Sequence, residues 1–94
     1  MHVELVDDRQ VSAALVGLSW RRDGNELIKI VRRQDFLAAL AYVNDVGRLA
    51  EQAGHHPDIE LRWNTVTLRL STHSLGGLTD ADLDLARRID TLGL

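Results

Sequence analysis

Two adjacent histidines, His55 and His56, stand directly before the one proline of the chain, Pro57. The histidine ring has an unperturbed pKa of about 6.5, so it can give or take a proton near neutral pH, and its neutral form binds metals. A single histidine is more typical of an ordinary polar surface position than of catalysis. Two together, ahead of a residue that stops helices, favour a site that moves protons or holds a metal.

Three further side chains could join the histidine pair. Glu51 lies four residues before His55, so both could point to one side of a helix end. A carboxylate there would orient the imidazole and stabilise its charged form, although the spacing alone favours an ordinary exposed pair. His73 follows a second predicted hairpin, whose pairing places it at the same sheet edge as Pro57. Asp82 is expected to cap a helix and could also face the pocket that these histidines would border.

A metal site is the main alternative to proton transfer. Three histidine nitrogens and a water molecule would form a reasonable zinc site. The chain lacks the His-x-x-x-His spacing of metal-binding helices, so the pattern favours an acid–base site without a metal. The absence of cysteine excludes thiolate ligands, disulfides and thiol nucleophiles. No phosphate-binding glycine pattern is present, and no nucleophile elbow surrounds Ser71 or Ser74.

Length and composition predict one ordinary globular domain, residues 1–94. The 94 residues are 45% hydrophobic and 27% charged, which is typical of a packed domain rather than a disordered chain. With 11 basic and 14 acidic residues the net charge is −3, so we expect no nucleic-acid partner. No apolar run approaches the roughly 20 residues of a membrane helix, and the N-terminus lacks the basic region of a secretory signal. We therefore expect a cytoplasmic protein without a membrane partner.

The first third of the chain predicts a helix followed by a β-hairpin. Asp7 or Asp8 can cap the helix by accepting backbone N–H bonds, and we expect the helix to end near Ser19. Residues 20–33 predict the hairpin, because Asp23-Gly24 is a pair that accepts the positive φ angles of a tight turn. The β-branched residues after the turn favour a strand.

The longest predicted helix covers residues 36–53, with Asp35 as its cap and Gly54 as its C-terminal stop. Its first half is apolar nearly all round, which is typical of burial on more than one side. In so small a domain, this pattern is consistent with a subunit contact as well as an intramolecular one. The stripe expected to run along the helix consists of Phe36, Leu40, Val43, Gly47 and Ala50.

After Pro57 the spacing of the apolar residues changes from the helical repeat of 3.6 residues to the strand repeat of 2. Residues 59–63 and 66–70 predict a second hairpin that turns at Asn64. Thr79 then begins the last helix, where Asp82 completes a capping box. The element order is α-β-β-α-β-β-α. We therefore predict an α+β fold with two layers, a four-stranded antiparallel sheet with three helices on one face.

These motifs in combination resemble the pterin-4a-carbinolamine dehydratase family over residues 20–89. The resemblance implies the same fold and the dehydration of 4a-hydroxytetrahydropterin to quinonoid dihydropterin, without a metal or a bound cofactor. That reaction regenerates the pterin used by aromatic amino acid hydroxylases. A homodimer or homotetramer, assembled through helix and sheet-edge contacts, is implied as well. The resemblance is carried by Glu51, His55-His56-Pro57, Trp63-Asn64, Ser71-Thr72-His73, Gly76-Gly77-Leu78-Thr79 and Asp82.

The resemblance also implies roles for individual residues. By position, His55, His56 and His73 would be the three active-site histidines, supported by Glu51 and Asp82. We assign His55 as the acid that protonates the leaving hydroxyl and His73 as the base that takes the proton from N5. His56 would bind substrate or share a proton, and Glu51 would orient His55. The remaining residues implied to support the site or bind substrate are Pro57, Ser71 and Thr72.

A non-catalytic role is the alternative to the enzyme. Some members of the family act as dimerisation cofactors of a transcription factor, so the chain could serve as a protein-binding or dimerisation module. The chain departs from the family pattern at two places: Ile59 stands where an aromatic residue is common, and Gly54 stands where a polar residue often precedes the histidines. Neither departure touches the histidines, so we expect activity to survive.

Overall fold

The computed structural model describes residues 3–93. The sequence places His2 apart from the other histidines and predicts it to be an exposed N-terminal residue, and this prediction falls outside the described residues. The elements confirm the predicted order of helices and strands. They also add a 3₁₀ helix, η1, that the sequence did not predict. In chain order the elements are α1 (Asp8–Leu15), β1 (Arg21–Asp23), β2 (Glu26–Arg32), α2 (Phe36–Ala53), β3 (Asp58–Arg62), β4 (Thr65–Leu70), η1 (His73–Leu75) and α3 (Asp80–Asp90).

The four strands form one antiparallel sheet in the order β1-β2-β4-β3. In β4, Val66, Leu68 and Leu70 are fully buried, because alternate side chains of a strand face the same side of the sheet. They pair in register with Val31, Lys29 and Leu27 of β2, and these six residues make the sheet side of the core. The α+β fold with its helices packed against this face confirms the predicted fold class.

Two local predictions are wrong at turns. Helix α1 ends at Leu15 rather than near Ser19, because Val16 leaves helical geometry with ψ of 124°. Gly17 follows in a left-handed conformation with φ of +81°, which glycine adopts without strain. Trp63 lies in the β3–β4 turn with φ of +49°, outside the strand predicted for it. A tight hairpin turn requires positive φ angles, and here Trp63 supplies one.

Helix α2 has the predicted bounds and caps but turns a different face to the core. Asp35 accepts a hydrogen bond from the Ala38 amide at its start. The predicted stripe is wrong for Phe36 and Leu40, which are 46% and 37% exposed. Because the first half of α2 is apolar nearly all round, periodicity could not select the buried face. The residues buried on α2 are Ala39, Tyr42, Val46 and Ala50.

A buried ion pair joins β2 to the C-terminal end of α3. Lys29 is only 2% exposed, and its Nζ lies 2.5 Å from Oδ1 of Asp90. Ser19 donates two more hydrogen bonds to this carboxylate, from its backbone amide at 2.7 Å and its hydroxyl at 2.9 Å. Burial raises the pKa of Asp90, but the hydrogen bonds from Lys29 and Ser19 outweigh burial and hold the pKa below its usual value.

The Asp90→Asn substitution therefore destabilises the fold, because it leaves the buried Lys29 without a charged partner. We expect the free energy of unfolding at neutral pH to fall by about 3 kcal/mol, as measured by guanidinium chloride denaturation. A carboxylate with a lowered folded pKa stabilises fully above its unfolded pKa of about 3.9 and loses that contribution as pH falls through the folded pKa. The gap between wild type and variant should therefore shrink as pH falls below about 3.9 and through the lowered folded pKa of Asp90.

The matched control is Asp84→Asn on the same helix. Asp84 pairs with Arg87 at 2.8 Å, but both side chains are largely exposed, so we expect a loss of about 0.5 kcal/mol or less. Equal losses for the two variants at neutral pH would contradict a stabilising role for the buried pair.

No helix within residues 3–93 combines the length and the apolar character needed to span a membrane.

Candidate active site

The turn after α2 sets the direction of the two adjacent histidines. Gly54 ends the helix in a left-handed conformation with φ of +64°, and its amide donates to the carbonyls of Ala50 and Glu51. The amide of His55 also donates to the Ala50 carbonyl, at 3.2 Å. The chain therefore leaves the helix axis at Gly54, and His55 and His56 no longer follow helical spacing.

His55 meets a buried carboxylate at the start of α3. Asp82 is the third residue of that helix and is fully buried. Its Oδ1 lies 2.5 Å from Nε2 of His55, and the His55 side chain is 17% exposed. Oδ2 accepts hydrogen bonds from the Thr72 hydroxyl at 2.8 Å and the Thr79 amide at 2.9 Å. Asp82 thus has a partner in each of three separate segments, as a buried charge requires.

Glu51 pairs with His56, so the predicted pairing of Glu51 with His55 is wrong. Oε1 of Glu51 lies 2.8 Å from Nε2 of His56. The rule that places residues i and i+4 side by side applies only within a helix, and the left-handed Gly54 interrupts the helix before His55. Both side chains of the pair are largely exposed, at 80% and 60%, so the contact adds little to stability.

His73 is the first residue of η1 and lies near the start of β3. Its Nε2 is 3.9 Å from Oδ2 of Asp58, and both side chains are mostly exposed. This position confirms that His73 lies at the sheet edge next to Pro57. Asp58 is a partner of His73 that the sequence did not predict. Its position directly after Pro57, opposite Arg69 near the end of β4, is the signal that could have identified it.

Thr72 closes the loop that carries His73. Its amide donates to the Gly77 carbonyl at 2.7 Å and its carbonyl accepts from the Gly77 amide at 3.4 Å, forming an isolated bridge. Its hydroxyl contacts both Asp82 and Thr79. The other predicted supporting residues, Pro57 and Ser71, are half-buried beside the histidines in the chain.

The adjacent histidines line hollows in the described surface. His55 lines a cavity of about 400 Å³ together with Gln52, Ala81, Leu85 and Arg88. A second hollow, of about 630 Å³, is lined by His56, Glu51, Pro57 and Ile59. The two adjacent histidines therefore open onto different hollows, and His73 lines neither of them.

The arrangement suits proton transfer, because each of the three histidines is next to a carboxylate. When a carboxylate holds one ring nitrogen, it fixes the tautomer and orientation and leaves the other nitrogen for proton exchange. The pairs differ in setting: the pair at Asp82 is buried, whereas those at Glu51 and Asp58 are exposed. Within residues 3–93, no three histidine or acidic side chains come together in a group that could hold a metal ion.

Comparison with models of known protein families assigns the chain to one family. The family model for pterin 4 alpha carbinolamine dehydratase matches residues 4–92. A protein of Nocardia farcinica, provisionally named a pterin-4-alpha-carbinolamine dehydratase, is 54% identical over 93 residues, which cover 98% of each chain. The chain therefore belongs to the pterin-4a-carbinolamine dehydratase family, as the sequence motifs predicted.

Solved structures agree with the fold. The crystal structure of a transcriptional coactivator/pterin dehydratase from Brucella melitensis superimposes with a TM-score of 0.89 at 24% identity, covering 97% of this chain and all of that one. A pterin dehydratase-like protein identified as a RuBisCO assembly factor in the alpha-carboxysome gives a TM-score of 0.66 at 28% identity, covering 79% of this chain and 88% of that one.

Proposed function

We propose that the protein dehydrates 4a-hydroxytetrahydropterin to quinonoid dihydropterin by histidine acid–base catalysis. One observation carries the proposal: in a chain of this family, three histidines at one end of the fold each lie beside a carboxylate. In the reaction the C4a–O bond breaks and the hydroxyl leaves as water after accepting a proton. N5 loses its proton as the N5–C4a double bond forms. The reaction thus needs one group that gives a proton and one that takes a proton.

His55 is proposed as the acid. The imidazolium that donates the proton is stabilised by the carboxylate of Asp82, 2.5 Å from Nε2, and a buried ion pair is only weakly screened by solvent. The supporting acidic residue of this histidine is Asp82, and Glu51 takes that role for His56.

His73 is proposed as the base at N5. It is 75% exposed, so it can pass the proton it takes to solvent and be ready for the next turnover. His56, beside Glu51, binds substrate or shares a proton. Backbone groups near Thr72, together with Ser71 and Pro57, border the ring of the pterin. The proposed reaction uses no metal and no bound cofactor, and we place it in cytoplasmic pterin recycling.

The proposal is tested by following the loss of 4a-hydroxytetrahydropterin in a rapid-mixing assay. We expect His55→Ala and His73→Ala each to lower kcat by about 10²- to 10⁴-fold, the usual contribution of one acid or base. The control is His2→Ala, which removes the histidine outside the motif and should leave kcat within about twofold of wild type. Folded wild-type protein that does not exceed the buffer rate would overturn the proposal.

A non-catalytic protein-binding role is the second candidate, and an exposed apolar surface on α2 favours it. This surface, the α2 patch, consists of Phe36, Leu37 and Leu40, which are 46%, 73% and 37% exposed. Contiguous exposed apolar side chains often mark protein interfaces. One structural relative is identified as an assembly factor. The α2 patch could equally form the subunit contact of the homodimer or homotetramer that the sequence motifs imply. An exposed patch is therefore also consistent with a catalytic role.

Self-association through the α2 patch is tested by sedimentation velocity. We expect wild-type protein to sediment as a dimer or tetramer, and Leu37→Glu to shift it towards monomer, because the carboxylate would lose its hydration in an apolar contact. The control is Val16→Glu, at an apolar side chain that is 81% exposed and lies outside the patch. A monomeric wild type, or an assembly unchanged by Leu37→Glu, would contradict the proposed contact.

A further inference from the structure

Hydrogen bonds connect Thr79, Thr72 and the Asp82 carboxylate, and the backbone amide at Ala81 decides which group donates in each of them. The amide of Ala81 lies 3.3 Å from the hydroxyl oxygen of Thr79. An amide N–H can only donate, so this oxygen accepts. The single hydroxyl proton of Thr79 is then available for the Thr72 hydroxyl oxygen, which is 2.8 Å away.

The same direction continues to the carboxylate. The Thr72 hydroxyl donates to Oδ2 of Asp82 at 2.8 Å, and the Thr79 amide donates to that oxygen at 2.9 Å. An ionised carboxylate only accepts hydrogen bonds. The remaining short contact, between Oδ1 and Nε2 of His55 at 2.5 Å, is therefore a bond that His55 donates.

We propose that Thr72 is a positioning residue that orients Asp82, so that neutral His55 carries its proton on Nε2 and exchanges protons with substrate through Nδ1. The second half of this proposal rests on the proposed dehydration. Among the hydrogen bonds of residues 3–93, those of the His55 ring involve Nε2 and Asp82, which leaves Nδ1 for the substrate.

The Thr72 hydroxyl fixes the orientation of the Asp82 carboxylate as well as filling space. Without it, Oδ2 of Asp82 keeps the Thr79 amide but loses the donor from the other side of the carboxylate. The carboxylate is then free to turn, and its hold on Nε2 weakens. Thr72 also directly precedes His73 and is bridged to Gly77. One side chain thus ties the loop of the proposed base to the partner of the proposed acid.

The proton balance follows from this geometry. Doubly protonated His55 gives its Nδ1 proton to the 4a-oxygen, the C4a–O bond breaks and water leaves. His55 remains as the neutral ring with its proton on Nε2, bound to Asp82. The N5 proton passes to His73 as the N5–C4a double bond forms. Solvent then takes one proton from His73 and returns one to His55, so the enzyme recovers its starting state.

The proposal is tested by ¹⁵N NMR of the imidazole rings in the labelled, substrate-free protein, at a pH above 7 at which the two His55 nitrogens show the separate shifts of a neutral ring. The two nitrogens of a neutral ring have different shifts, so the spectrum reports which one carries the proton. The His55 signals are assigned by their absence in His55→Gln. We expect the Nε2–H tautomer in wild type, a mixture of tautomers in Thr72→Val, and a kcat about 10- to 100-fold lower in that variant.

Two further variants separate positioning from folding. Thr72→Ser keeps the hydroxyl and should restore both the tautomer and kcat. Thr67→Val makes the same chemical change at a half-buried threonine in β4 and should change neither. A wild-type His55 protonated on Nδ1 would overturn the proposal, as would a Thr72→Val variant whose tautomer is unchanged. The Nε2–H tautomer in a wild type without dehydratase activity would support the positioning role and overturn the proposed function.

Discussion

The burial of the Asp82 carboxylate is the constraint on which the functional end of the molecule depends. A charge that is fully removed from solvent destabilises the fold unless hydrogen bonds or opposite charges compensate it. The fold supplies these partners from His55 after α2, from Thr72 after β4 and from the Thr79 amide at the start of α3. Satisfying one carboxylate therefore ties the turns after α2 and β4 to the start of α3. The same contacts that stabilise this end of the domain hold His55 in place.

The three histidines share a type of partner but differ in their surroundings. The pair at Asp82 is nearly removed from water, whereas the pairs at Glu51 and Asp58 are largely exposed. Charge interactions weaken where solvent and salt screen them, so only the buried carboxylate can hold a ring rigidly. This difference separates the proposed roles: a fixed proton donor at His55, and exposed rings at His56 and His73 that exchange protons freely with solvent.

Much of the fold was predictable, because local signals agree with the tertiary structure. Asp35 and Gly54 bound α2 as their capping preferences predict, and the period-2 run through Val66, Leu68 and Leu70 forms the buried face of β4. The buried face of α2 was not predictable in this way. Its first half is apolar nearly all round, so only the position of the helix on the sheet decides which side is covered.

The sequence predicted which residues would gather at this end of the fold but not how they pair. The structure places His55, His56 and His73 each beside a carboxylate, while their proposed roles in catalysis stay predictions. Spacing nevertheless assigned Glu51 to His55, because one left-handed residue between them changes the direction of the chain. Asp58 was missed since its approach to His73 depends on strand register and on η1. Such contacts arise from tertiary structure, which no spacing rule contains.

The claim that Asp82 acts through His55 is tested most directly by a double-mutant cycle on kcat. The variants are Asp82→Asn, His55→Ala and the two combined, each shown to be folded by circular dichroism. Residues that act as a unit have non-additive effects. We therefore predict that the double variant is no slower than His55→Ala alone. If the two losses in rate multiply in the double variant, Asp82 acts independently of His55, which would contradict a role through that histidine.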